Sequence, residues 1–148
     1  MRPDDPIAIA YLERSMVARI ATRSPKGWPA LTPLWFVWSG GRLYTTTGRD
    51  TLAARNAARD PNVDVLLDAE AAGRAAHLLR LRGCATVRPG LPGWAILARI
   101  ALKYYGGGWR SELAHARLWD LRRRYYAQAH GVTIEIVPDD AELLARPD

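Results

Sequence analysis

Residues Val17 to Thr47 read as three strands in a row with only turns between them. Val17–Arg23 alternates as a strand, and Ser24-Pro25-Lys26-Gly27 is turn chemistry. Trp28–Trp38 reads as one long strand, rich in aromatic and β-branched residues, and Arg42–Thr47 reads as the next. Ser39-Gly40-Gly41 joins the last two as a hairpin turn, because paired glycines tolerate positive φ. The order predicts an antiparallel meander. Nothing in it alternates as βαβ, so a doubly wound nucleotide-binding fold is excluded.

The rest of the chain is strands with helices inserted. Asp5-Pro6 caps and starts a short helix over Ile7–Arg14, with Ile7, Ala10, Tyr11 and Arg14 on one face. Asp50 or Thr51 caps a helix over Thr51–Arg59, which Asp60-Pro61 stops. Val63–Leu67 is a nearly continuous apolar run, as in a strand buried on both faces. Leu78–Val87 alternates, with Leu79, Leu81, Gly83, Ala85 and Val87 on one side. Trp94–Tyr104 has the spacing of an apolar helix, and a second helix is expected from Ser111 through Gln128. Val132–Val137 reads as the last strand, with Pro138-Asp139-Asp140 opening a polar tail. The sum is a mainly β (α+β) chain, an antiparallel β-barrel of about six strands with inserted helices. Its 148 residues suit a single domain, 1–148.

Composition removes whole classes of function. One cysteine, Cys84, excludes internal disulfides and CxxC sites. No apolar run is long enough for a spanning helix, and the acidic, proline-broken start does not suit a signal peptide, so a cytoplasmic protein is expected. The histidines His77, His115 and His130 are far apart and lack metal-ligand spacing. There is no GxSxG elbow, and Gly106-Gly107-Gly108 lacks the lysine of a phosphate-binding loop. Tyr44, Tyr104, Tyr105 and His77 are proton donors in principle. With no acid–base pair legible, any redox reactivity falls to a cofactor. The formal charge is +6, and all but two of the 21 basic residues are arginines. That excess suits an anionic partner or simply a solvated surface. Nucleic acid is the weaker fit, since the aromatic strands carry no interleaved Lys/Arg stripe. Arg122-Arg123-Arg124 is most simply a solvated helix face.

One block holds the remaining signal. It runs Ala18-Arg19-Ile20-Ala21-Thr22, Lys26-Gly27-Trp28-Pro29, Thr32-Pro33-Leu34-Trp35-Phe36-Val37-Trp38, Leu43-Tyr44-Thr45-Thr46-Thr47, Ala54-Arg55-Asn56 and Asp60-Pro61-Asn62-Val63. A proline within a strand marks an edge or irregular position, because it cannot donate to the ladder. Such a strand can offer backbone groups of Leu34 and Trp35 to the polar edge of a flat ring. Thr45, Thr46 and Thr47 end the next strand where a helix begins, and helix N-termini favour phosphate. Arg49 precedes that helix; Arg55 and Asn56 lie on it. The threonines also serve as strand formers, and the arginines as a solvated face.

In this order the block resembles the pyridoxamine-phosphate-oxidase-like superfamily, closest to its F420-dependent branch. The likeness covers residues 18–67 well and 78–88 loosely. It implies a split β-barrel, a homodimer with the site at its interface, and hydride transfer between bound F420, or alternatively FMN, and a small unsaturated or quinone-like substrate. It implies cofactor contacts at Pro33, Leu34, Trp35, Thr45, Thr46, Thr47, Arg49, Arg55 and Asn56. It also allows a non-catalytic cofactor- or haem-binding protein. The chain departs from the family at Ala53, where a phosphate-binding lysine is usual. Either Arg49 or Arg55 replaces it, or phosphate is held weakly, or another ligand binds.

Overall fold

A computed structural model describes residues 1–69, 77–105 and 130–145. In chain order the elements are α1 (Pro6–Arg14), β1 (Ala18–Arg23), β2 (Pro29–Leu34), β3 (Phe36–Ser39), β4 (Arg42–Gly48), α2 (Leu52–Arg59), β5 (Asn62–Leu67), β6 (His77–Pro89), α3 (Trp94–Tyr105) and β7 (Gly131–Ala145). The seven strands form one antiparallel sheet in the order β2-β1-β5-β6-β7-β4-β3. The helix expected from Ser111 to Gln128 lies outside the described residues.

The expected long strand is two strands, and that accounts for a seventh. Trp28–Trp38 breaks at Trp35: β2 pairs with β1, whereas β3 pairs with β4. The predicted meander is therefore two hairpins at opposite edges of the sheet. Trp35 alone joins those edges, so the sheet must curl until its first and last strands approach. They are not hydrogen-bonded to each other, and the result is a split barrel.

Barrel closure places Ile20, Phe36, Leu43, Val65, Leu79, Leu81, Ile134 and Ile136 in one buried cluster. β5 is buried on one face rather than two: Val63, Val65 and Leu67 point inward, while Asp64 and Leu66 are half-covered. α1 also turns differently from expectation. Ala8 and Leu12 are its buried residues, and Ile7 is 50% exposed. Asp5 Oδ1 caps the helix by accepting from the Ile7 amide at 2.9 Å.

The last strand does not stop at Val137 but continues to Ala145. Its ladder with β6 shifts register between Arg82 and Gly83, which pair with Asp140 and Pro138 and leave Asp139 as the extra residue. Before this bulge Ile134 and Ile136 face the core; after it Ala141 and Leu143 do. The extra residue flips the alternation, so Pro138-Asp139-Asp140 is a bulge inside a strand and not a tail. A Cβ at Gly83 would lie 2.7 Å from Pro138 Cα, so the crossing needs glycine there. No helix among the described residues is long and apolar enough to cross a membrane.

Candidate functional site

The break between β2 and β3 gathers an unusual set of contacts. Thr45 is fully buried, and its hydroxyl donates to the Trp35 carbonyl at 2.7 Å. The Tyr104 ring, from α3, lies parallel to the Trp35 indole with centroids 4.5 Å apart. Its hydroxyl accepts from the Phe36 amide at 2.9 Å. The carbonyls of Met16 and Phe36 lie 2.7 and 2.9 Å away as acceptors for its one proton. Burial pushes the Tyr104 phenol up to about 12, and the Phe36 amide works the other way. The ammonium of Lys103 lies 3.7 Å over the Phe36 ring, and desolvation lowers it to about 8.

Pro33 is exposed on the edge strand, opposite Arg19, where a missing N–H costs no ladder bond. Leu34 is half-buried and packs on the core. The backbone carbonyl that the sequence reading offered to a ring at Trp35 is taken by Thr45. The edge group that a neighbour does reach is Phe36, one residue on.

Two strand positions beyond Thr45, the chain turns into α2. Thr47 is buried and donates to the Thr51 hydroxyl at 3.2 Å, which donates to the Gly48 carbonyl at 2.8 Å. Thr51 caps α2 by accepting from the Ala54 amide. The amides of Leu52 and Ala53 are left with no intrahelical acceptor, as in any first helical turn. Arg49 and Arg55 are exposed around this turn. Arg49 Nε is 3.8 Å from Asp50, a long contact, and its amide donates to the His130 carbonyl at 2.8 Å. Arg55 forms no ion pair among the described residues.

Thr46 faces the other side of β4, across from Thr133. Asn56 is buried, and its amide donates to the Thr22 hydroxyl at 3.1 Å, fastening α2 to β1. Thr45, Thr47 and Asn56 thus spend their polar groups inside the protein. Trp35, Arg49 and Arg55 remain accessible. Ala53, at the usual lysine position, is fully buried in the core cluster.

Tyr104 and Lys103 are the residues sequence reasoning undervalued. In the sequence Tyr104 is a generic proton donor, and only the docking of α3 brings it to the break. His77 is exposed, and its carbonyl accepts from the Tyr11 hydroxyl. The described residues contain no group of three His, Cys, Asp or Glu able to hold a metal. On the outer face, Glu135 is largely buried between Arg42 and Arg88, the latter at 3.4 Å. A separate open groove of about 600 Å³ lies at the β7 bulge, bordered by Arg23, Asp64, Arg82 and Asp139. None of the nine nominated residues lines it.

The sequence profile of the pyridoxamine 5'-phosphate oxidase family matches residues 8–142. No curated protein matches the chain. Among solved structures, one named F420 reductase superposes with a TM-score of 0.66 at 22% identity, covering 90% of this chain and 94% of that one. HutZ, the haem storage protein of Vibrio cholerae, gives 0.66 at 15% identity, with 98% and 95% covered. A FAD-binding protein from Mesorhizobium loti gives 0.62 at 17%, with 95% and 93% covered. At these identities the likeness is one of fold.

Proposed function

The chain belongs to the pyridoxamine 5'-phosphate oxidase family, and on that footing we propose that it is an oxidoreductase using F420, with FMN as the alternative. The observation that carries this reading is a continuous path through the fold. The backbone edge of Phe36, which no strand pairs and the Tyr104 hydroxyl meets, lies beside Trp35 and connects through the β3–β4 pair to the first turn of α2 with Arg49 and Arg55 beside it. A ring with a phosphorylated side chain needs those two places at once. The first-turn amides and the two guanidiniums would hold the phosphate. The Trp35 face and the Phe36 edge would hold the ring. When bound, the ring would supply hydride donation and acceptance toward a small unsaturated or quinone-like substrate. F420 is preferred because its tail is acidic and the chain carries a net charge of +6.

The buried hydroxyls of Thr45 and Thr47 are already committed, so the guanidiniums carry the anion here. Fluorescence titration of the purified protein with F420 and with FMN tests the reading. Saturable binding is expected, weakened about tenfold by Arg55→Ala or Arg49→Ala, the loss of one charge-assisted hydrogen bond. Absence of binding by either cofactor overturns the reading. A bound ring that reduces no acceptor would make the chain a carrier rather than an enzyme. We further assign it a homodimer, in keeping with Trp28 and Leu31 standing 70% and 56% exposed at the β2 edge. Light scattering at micromolar concentration should give about twice the monomer mass; a monomer contradicts it.

A further inference from the structure

Tyr104 occupies the position a planar ligand would need. Its ring is parallel to Trp35, and its hydroxyl meets the main chain of Phe36 from the side away from β4. The N–H and C=O of one strand residue point the same way, so Phe36 presents a donor beside an acceptor on the open edge of β3. That pair is complementary to an imide or cis-amide edge, in which N–H adjoins C=O. The phenol oxygen accepts from the Phe36 N–H, but its one proton is shared between the Phe36 and Met16 carbonyls.

The element bearing Tyr104 is lightly held. α1 and α2 each bury residues in the core, at Ala8 and Leu12 and at Ala53, Ala54, Asn56 and Ala57. No residue of α3 from Trp94 to Tyr104 is buried, and Trp94 and Leu102 are 82% and 73% exposed. Lys103 lies against Phe36 without an ion-pair partner among the described residues, so docking α3 costs the desolvation of an ammonium. Few buried contacts mark a segment that opens locally, and the partly desolvated ammonium, held by the faces of Phe36 and Tyr104 alone among the described residues, adds to the cost of keeping it docked.

We propose that Tyr104 is a displaceable occupant of the ring site: a planar heterocycle with an imide edge takes over both its stack on Trp35 and its hydrogen bonds to Phe36, and α3 moves off the barrel to admit it. This rests on the cofactor reading above. The exchange replaces like with like, a stacked ring and edge hydrogen bonds on either side. Its cost is the population held closed, which lowers the apparent affinity by the fraction of molecules open.

The test compares wild type, Tyr104→Phe and Tyr104→Ala, with F420 and FMN as probes. Circular dichroism checks that each variant is folded, and Tyr104→Phe keeps the ring if the alanine variant is not. The apparent Kd should fall about threefold to tenfold in Tyr104→Ala and less in Tyr104→Phe, the reverse of what loss of a ligand contact produces. Hydrogen exchange of α3 amides in wild type should quicken on adding cofactor. Binding to Tyr104→Ala alone also supports the proposal. Weaker binding in the variants, or binding to wild type with α3 exchange unchanged or slowed, overturns it and leaves the cofactor reading standing. Binding by none of the three proteins overturns both.

Discussion

Lys103 shows what one misplaced charge does to this fold. Its ammonium is held against the Phe36 ring, and desolvation brings its pKa from 10.5 to about 8. Between those values the unfolded chain keeps the proton and the folded chain releases it. Stability therefore rises with pH from about 8 to 10.5. Tyr104 acts in the opposite direction at higher pH, since its folded pKa is raised from 10.0 to about 12 and stability falls across that window. The urea midpoint of the wild type should accordingly increase between pH 7.5 and 9.5, and Lys103→Met should remove that increase. Equal slopes in the two proteins would contradict the burial of this ammonium. Neither effect was legible in the sequence, where Lys103 is one cation in an apolar helix and Tyr104 one tyrosine of six. Both depend on which face α3 turns to the barrel.

At the level of elements, local pattern was a good guide to which segments are strands and a poor guide to where they bend. Trp28–Trp38 is rich in aromatic and β-branched residues on both sides of Trp35, so its composition does not mark the change of partner there. Pro33 is the one hint, as an edge residue without a donor. β7 hides its bulge for the same kind of reason. Pro138-Asp139-Asp140 breaks the alternation as a loop would, yet the ladder resumes beyond it, paired with His77–Arg82 of β6. Gly83 is the residue that makes this possible, being the point at which the two strands cross too closely for a side chain. Gly83→Ala is expected to destabilise the protein by about 1–3 kcal/mol, the usual cost of overpacking, read as a lower urea midpoint. An unchanged midpoint would mean the bulge yields without cost.

For the molecule as a whole, the family and barrel were readable because the residues that carry the resemblance lie in sequence order across one contiguous block. The proposed site was only partly readable. Arg49 precedes α2 and Arg55 lies on it, and both are exposed around its first turn. Asn56 and Thr45 also lie close, but barrel closure turns them inward to Thr22 and Trp35, and that direction is set by tertiary packing. The proposed ligand lies along the path from Phe36 to the first turn of α2, and not in the groove at the bulge. Hydrogen exchange with and without F420, and again with FMN, distinguishes the two places directly. Binding on this path should slow exchange within Arg49–Ala54 and alter it at Phe36. Protection confined to Ala21–Arg23, Asn62–Asp64 and Arg82–Gly83, or no change anywhere, would contradict it.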